Sequence, residues 1–430
     1  MSVSDFVTAL AVALEKSDEC AAARCLSLSV VVDPGLRTVT SVNDFVDPPS
    51  LAAMEEKDLM HECNIGLHPT VAPMAASVLK ALKALAAWDV RRAHEAYNSA
   101  LEEFVEKIFL SSQLDADLLA TCACHMVASA SDVCFKDPDV GEGLFAGEKT
   151  AEYIQKLFHY ATSATGNGAD EKRLLGPRLA MEMMRHCLRQ NKAVEKYAAL
   201  GAMTDRVKPA LEVVPKADSV PFNYYAGLLA LTGDEYLKAE GYLTAALVCC
   251  PAATARNRRR IVERLVPIKM LLGKLPSNQL LKKYGLAYLE DFSAALRWSK
   301  LGEFDALMAV HEETLQRKGT ESVMHRCRAR ICRSLVRTTA VACRAPGVEE
   351  AGQTVKLADL QVAFRLAGCP KTNTLDLALL LTNVMSMGLI NGMMVYAEGG
   401  AGRVQLSARK TPFETPVQWW VERGWEFSGL

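Results

Sequence analysis

The sequence has no P-loop, no G-x-S-x-G, no H-E-x-x-H and no C-x-x-C pair. The first three absences leave no NTPase, serine-hydrolase or zinc-protease signature. The missing C-x-x-C, with 13 scattered cysteines, an odd number, points to reduced thiols in the cytosol or nucleus, not to a disulfide framework or zinc module. No run of about 18 uncharged apolar residues occurs, so no membrane span is expected. Met1 to Lys16 carries Asp5, and the first Arg is Arg24, which excludes a basic signal start and an Arg-rich transit peptide at this end. Aromatics are only 7% of the chain, whereas Ala and Leu abound. That balance favours helix over strand. At 430 residues, 50% hydrophobic and 23% charged, the chain is globular in composition and long enough for two or three cores.

Charge is present but segregated. From Arg256 to Lys410 there are 25 Lys and Arg against 13 Asp and Glu, a net of +12, while the remainder holds 24 against 37, a net of −13. Arg256–Lys283 carries nine basic residues with Glu263 as its one acid, and Arg317–Arg344 carries eight with Glu321 alone. Such a half-chain suits a polyanionic partner, nucleic acid or an acidic protein. It equally suits a solvated basic face balanced by an acidic neighbouring domain.

Along the chain, Phe6, Leu10 and Leu14 predict a first helix, followed by a Pro-punctuated stretch to residue 75. Residues 76–344 read as amphipathic helices, with breaks near Asp137–Gly143, Gly166–Asp170, Lys216–Val220, Leu275–Asn278 and Gly302. Gly227, Ala239, Leu243, Ala246 and Pro251 match the small-and-large spacing of a tetratricopeptide pair, with weaker echoes at Ala93, Tyr97, Ala100 and at Ala306, Val310. A helical-repeat solenoid is expected, an architecture that offers extended partner surfaces. In residues 345–415 a loop (345–354) leads into a helix over Val355–Ala367, with Leu357, Leu360 and Phe364 inward. A second helix follows over Leu375–Met387, with Leu377, Leu380, Leu381 and Val384 inward and Gly388 as its C′ residue. A β-hairpin over Leu389–Ala397 and Arg403–Ala408 completes the outline of a winged helix. The tail, 416–430, gathers Trp419, Trp420, Trp425 and Phe427.

The segment Asn257–Leu286 (NRRRIVERLVPIKMLLGKLPSNQLLKKYGL), chiefly Leu265–Gly273, Pro276 and Leu280–Tyr284, resembles a signature of PCI-domain proteins. The resemblance is to the PCI subunit of the nuclear transcription-and-export complex and a signalosome-associated paralogue. Asn383, Met387, Gly388, Ile390 and Gly392, then Pro412-Phe413, are similar to the family's winged-helix core and ending. The resemblance implies an all-α helical stack capped by a winged helix and a non-enzymatic subunit without cofactor. It further implies a nuclear setting, at the pore in part, a GANP-like scaffold partner, a small acidic partner shared with the proteasome lid, and a basic winged-helix platform for RNA. The other assignment it leaves open is a structural signalosome- or lid-type subunit with no RNA contact.

Candidate site residues follow. Arg326, Arg330, Arg333 and Arg337 share one helical face by their spacings of four, three and four, and Arg344 lies beyond them. The opposite face gives Cys327, Ile331, Leu335 and Ala342 to a core. Guanidinium forks suit phosphate or carboxylate, so the stripe reads as acidic-partner or RNA binding, or as a solvated face. Arg256, Arg258, Arg259, Arg260 and Arg264 form a denser cluster whose stems cover apolar surface, and Pro267 is expected to kink or end that helix. For RNA, Lys371, Thr372 and Asn373 stand at the start of the second winged-helix helix, where unpaired N–H groups attract phosphate. Arg403, Arg409 and Lys410 lie at the wing. No aromatics interleave them, so contact would be to backbone and indifferent to sequence. Against this, Thr372 or Thr374 serves merely as an N-cap. Cys122, Cys124 and His125, like His61, Cys63 and His68, lack a second half with metal-ligand spacing. Asp115 and Asp117 read as a helix start.

Overall fold

A computed structural model describes residues 2–28, 30–33, 38–41, 51–87, 89–109, 114–135, 146–164, 169–344, 353–369, 373–396, 402–408 and 412–413. The expected tail 416–430 and the candidates Lys371, Thr372, Arg409 and Lys410 lie outside the described residues. The chain divides into two compact units, Met1–Glu235 and Tyr236–Leu430. The expected boundary at residue 75 instead falls inside a helix, Ala72–Ala86.

The first unit is helical from its start. Helices α1 (Val3–Glu15), α2 (Glu19–Leu26), α3 (Glu56–Gly66), α4 (Ala72–Ala86) and α5 (Val90–Glu103) lead to α6 (Ala116–Cys134) and α7 (Ala146–Thr162). Then come α8 (Ala169–Leu174), α9 (Gly176–Arg189), α10 (Tyr197–Val207) and α11 (Lys216–Thr232). Ser2 opens α1 with a reciprocal capping box to Asp5, and Phe6 and Leu10 are buried as their spacing predicts. Asp115 caps α6, its Oδ1 accepting from the N–H of Asp117 at 2.9 Å and of Leu118 at 3.3 Å. Neighbours in sequence pack together, α4 on α5, α5 on α6 and α6 on α7. A short antiparallel hairpin, β1 (Val30–Asp33) with β2 (Thr38–Ser41), interrupts the helices where a Pro-rich loop was expected. The break expected at Lys216–Val220 is the first turn of α11.

Two buried histidines tie this unit together. His186 Nε2 donates to the Gly147 carbonyl at 2.9 Å, leaving Nδ1 to accept from the Ser131 hydroxyl at 3.1 Å. His94 Nε2 lies 3.1 Å from Asn98 Nδ2, a donor, while the Thr150 hydroxyl donates to Asn98 Oδ1 at 2.9 Å. Both rings are therefore held neutral, and burial pushes each down to about 4.

The second unit contains α12 (Tyr236–Cys249), α13 (Ala255–Leu271), α14 (Asn278–Lys283), α15 (Tyr288–Arg297), α16 (Leu301–Arg317) and α17 (Glu321–Ala342). Ile261, Leu265 and Ile268 of α13 are buried, and the helix runs on through Pro267 instead of ending there. The winged helix follows: β3 (Thr354–Lys356), α18 (Leu357–Leu366), α19 (Thr374–Ser386), β4 (Gly392–Tyr396) and β5 (Gly402–Leu406). The first winged-helix helix starts at Leu357, two residues later than expected, because Thr354–Lys356 pairs with β5. The strand order is β3-β5-β4, all antiparallel. Val355, Val404 and Leu406 turn inward, and Gly388 leaves α19 at φ +69°.

Two glycines join the winged helix to the helices before it. Gly302, expected as a break, is the second residue of α16, and its N–H donates to the Ala367 carbonyl at 2.9 Å. A Cβ at Gly302 would stand 2.3 Å from the Gly368 carbonyl oxygen, and Gly368 itself needs φ +94°.

Gly302→Val should therefore lower stability by about 2–3 kcal/mol or displace the winged helix, which a thermal melt with limited proteolysis would read. For the histidines, the unfolded chain takes up protons near pH 6.5 that the native rings refuse until about 4. Stability should fall as pH drops from 6.5 to 4, by roughly 3 kcal/mol per ring over the window. Urea midpoints across that range test it, and a flat profile down to pH 5 would mean that the rings are not held neutral.

Candidate nucleic-acid and partner interface

The arginine stripe does not form an open face. Helix α17 is packed against α13, α15, α16, α18, α19 and β3, so both sides of it are covered along much of its length. Arg333 is 1% exposed; its Nε donates to the Leu389 carbonyl at 3.0 Å and its guanidinium stands 5.3 Å from the Phe413 ring centre. Arg330 is 8% exposed, burial holds it below the usual guanidinium range, and its Nε finds no hydrogen-bond acceptor among the described residues. These two are corrected from surface to interior. Arg326, half-buried, lies 5.4 Å over the Tyr236 ring, and Arg337 and Arg344 are also half-buried. Cys327, Ile331 and Leu335 are buried as expected, whereas Ala342 is exposed at the helix end. Arg328, outside the stripe, makes a two-pronged pair with Asp305 at 2.7 and 2.9 Å.

The denser cluster on α13 is mostly architectural. Arg258 is buried and its Nη1 donates to the carbonyls of Cys250 at 2.7 Å and Leu247 at 3.3 Å, closing the end of α12. Arg259 reaches the Gly285 carbonyl at 3.4 Å, and Arg256 and Arg260 are exposed.

At the winged helix, chemistry divides between two surfaces. Asn373, not a threonine, is the N-cap of α19: its Oδ1 accepts from the Asp376 N–H at 2.7 Å. The Asp376 carboxylate in that first turn already answers the helix dipole, so this terminus is poorly suited to phosphate. No Lys or Arg occurs between Lys371 and Arg403. Helix α19 instead presents Leu375, 69% exposed, and Leu379, 63% exposed, one turn apart. The basic surface is on the sheet. Arg403, in the central strand, is exposed and faces Lys356 across the β3–β5 ladder. Lys356 was missed by sequence because it was assigned to a helix; as a strand residue it alternates outward with Thr354. Tyr396 is exposed too, but it pairs with Gly402 and so belongs to the opposite sheet face.

The cysteine candidates are ordinary interior groups, whereas His61, His68 and His125 are exposed. Burial pushes the thiols of Cys63, Cys122 and Cys124 up to about 12, which disfavours thiolate chemistry. Among the described residues no group of three His, Cys, Asp or Glu could hold a metal.

A helical stack ending in a three-stranded winged helix is a known class of subunit architecture, and the comparisons with curated proteins agree with it. The chain is 26% identical over 251 residues to the PCI domain-containing protein 2 homolog of Drosophila melanogaster, covering 58% of this chain and 61% of that protein. It is 23% identical over 359 residues to PCI domain-containing protein 2 of Danio rerio, covering 80% and 84%. Over 137 residues it is 34% identical to the Protein CSN12 homolog of Mycosarcoma maydis, 30% of each. The match thus spans less than two thirds of the Drosophila and Mycosarcoma proteins. No family model matches the chain. On these comparisons the chain is similar to proteins of the PCI domain-containing protein 2 and CSN12 type.

Truncating Arg333 to Ala would strand the Leu389 carbonyl and leave Phe413 without its cation. A loss of about 3 kcal/mol or more is expected, and Arg333→Lys should recover little of it, since a point charge does not reproduce the planar fork. Urea unfolding of the three proteins measures both.

Proposed function

We propose that the chain is a non-catalytic scaffold subunit of a multi-protein complex, and within that class a subunit of a nuclear mRNA-export assembly. The observation that carries this reading is the division of the winged helix into an apolar surface on α19 and a basic surface on the sheet. Leu375 and Leu379 leave water when a protein partner docks. The family resemblance makes that partner a GANP-like scaffold. Lys356 and Arg403 suit phosphates, releasing counterions without reading bases. With Asn373 engaged as a cap, the RNA surface moves from the second helix to the sheet. The exposed parts of Arg326, Arg337 and Arg344 remain candidates for the small acidic subunit.

A second reading is a structural signalosome- or lid-type subunit without RNA. The exposed face of α19, which carries no Lys or Arg, and the likeness to a protein named as a CSN12 homolog favour it.

The two surfaces should separate by mutation. Lys356→Glu with Arg403→Glu should weaken RNA binding by the partner-bound chain and lower its salt slope by about two, with the scaffold still attached. Leu375→Asp with Leu379→Asp should cost about 3–6 kcal/mol of scaffold affinity. The experiment is affinity capture from native extract, with partners identified by mass spectrometry, followed by RNA titration at several salt concentrations. Signalosome or lid subunits in place of an export scaffold, with no salt-dependent RNA binding, would decide for the second reading.

A further inference from the structure

Among the described residues three arginines are buried, Arg258, Arg330 and Arg333, all in the second unit. Two of them are answered within the chain. Arg258 donates to the Cys250 and Leu247 carbonyls, and Arg333 donates to the Leu389 carbonyl and meets the Phe413 ring. Arg330 is not answered: among the described residues no carbonyl, carboxylate or aromatic ring meets its guanidinium. An arginine cannot shed its proton, and an ion taken out of water without a counter-group is costly.

The surroundings supply no acid. Glu321, the one acid of α17, lies nine residues before Arg330 and stands 3.5 Å from His325 Nε2. Asp305 is engaged by Arg328, and Glu263 of α13 by Lys318. On its own face Arg330 has only cations beside it, Arg326 one turn before and Arg333 and Arg337 after. Its Nε is sealed from water, whereas Nη1 and Nη2 are not, so the tips of the fork meet the narrow opening that leaves the residue 8% exposed. Two N–H groups side by side fit the two oxygens of a carboxylate. A phosphodiester carries a ribose on each side and lies along a surface. A carboxylate at the end of a side chain enters a narrow opening singly.

We propose that Arg330 is a socket for one Asp or Glu carboxylate of an acidic protein partner, met end-on by Nη1 and Nη2. The inference rests on the subunit reading above and gives its acidic partner an anchor beneath the half-exposed Arg326, Arg337 and Arg344. Those surface charges steer the encounter, and the desolvated one holds it. Unpaired, the buried charge destabilises the free chain; paired, it contributes to the complex.

Two measurements of opposite sign test this. Arg330→Met keeps the length of the side chain and removes its charge. Without partner, the full-length variant should melt about 2 °C or more above the parent. It should bind a fluorescent oligo-glutamate at least tenfold more weakly at equal salt, with its affinity for oligo-uridylate unchanged. Arg330→Lys, a charge without the fork, should recover little of the oligo-glutamate affinity. A melting temperature at or below the parent's, or failure of Arg330→Met to fold, would overturn the proposal, since the guanidinium would then be answered within the chain. Equal oligo-glutamate binding by parent and variant would do the same. So would a tenfold loss of oligo-uridylate or inorganic phosphate binding, because the occupant would then be a phosphate. Capture from native extract separates the two readings. If the parent captures no complex, the subunit reading fails; if Arg330→Met retains every acidic partner of the parent, the socket alone fails.

Discussion

A guanidinium taken almost wholly out of water must be met by acceptors and aromatic faces, and Arg333 is met by the Leu389 carbonyl and the Phe413 ring. These contacts come from three separate stretches: the last long helix, the residue after the α19 C-terminal turn, and the segment that follows the sheet. Around the same helix, the Gly302 N–H meets the Ala367 carbonyl and the Gly302 and Gly368 backbones touch. The winged helix is thereby held on backbone and charge, not on apolar burial alone. Its surfaces inherit their positions from that attachment.

This arrangement explains the division of labour at the winged helix. A helix that used its N-terminal N–H groups for phosphate would leave them uncapped and keep acids away, yet α19 has Asn373 as a cap and Asp376 in its first turn. Its outward leucines suit protein contact. The cations sit instead on the sheet, where Lys356 and Arg403 are neighbours only because strands far apart in sequence pair. An apolar surface and a basic surface thus share one small module without sharing side chains.

Much of the architecture was legible in the chain. Helical spacing placed Phe6 and Leu10 inward and located both winged-helix helices to within a few residues, because a single amphipathic stripe needs only local periodicity. Pro267, expected to kink or end its helix, does not end it: the surrounding helix is buried on Ile261, Leu265 and Ile268, and that packing outweighs one missing N–H. The hairpin β1–β2 was missed because two four-residue strands leave little period to read.

Composition and local pattern by themselves determined the helical class, the winged-helix outline and the basic bias of the C-terminal half. What they could not determine is which of those charges face water. The spacing of Arg326, Arg330, Arg333 and Arg337 correctly gives one face of a helix. Whether that face is outside depends on how many neighbours surround it, and α17 is enclosed, so Arg330 and Arg333 became interior groups. Lys356 joined the basic surface by the converse route, through a strand pairing. Tertiary packing decides these matters because burial and cross-strand adjacency are relations between distant segments, and no local window of residues contains them.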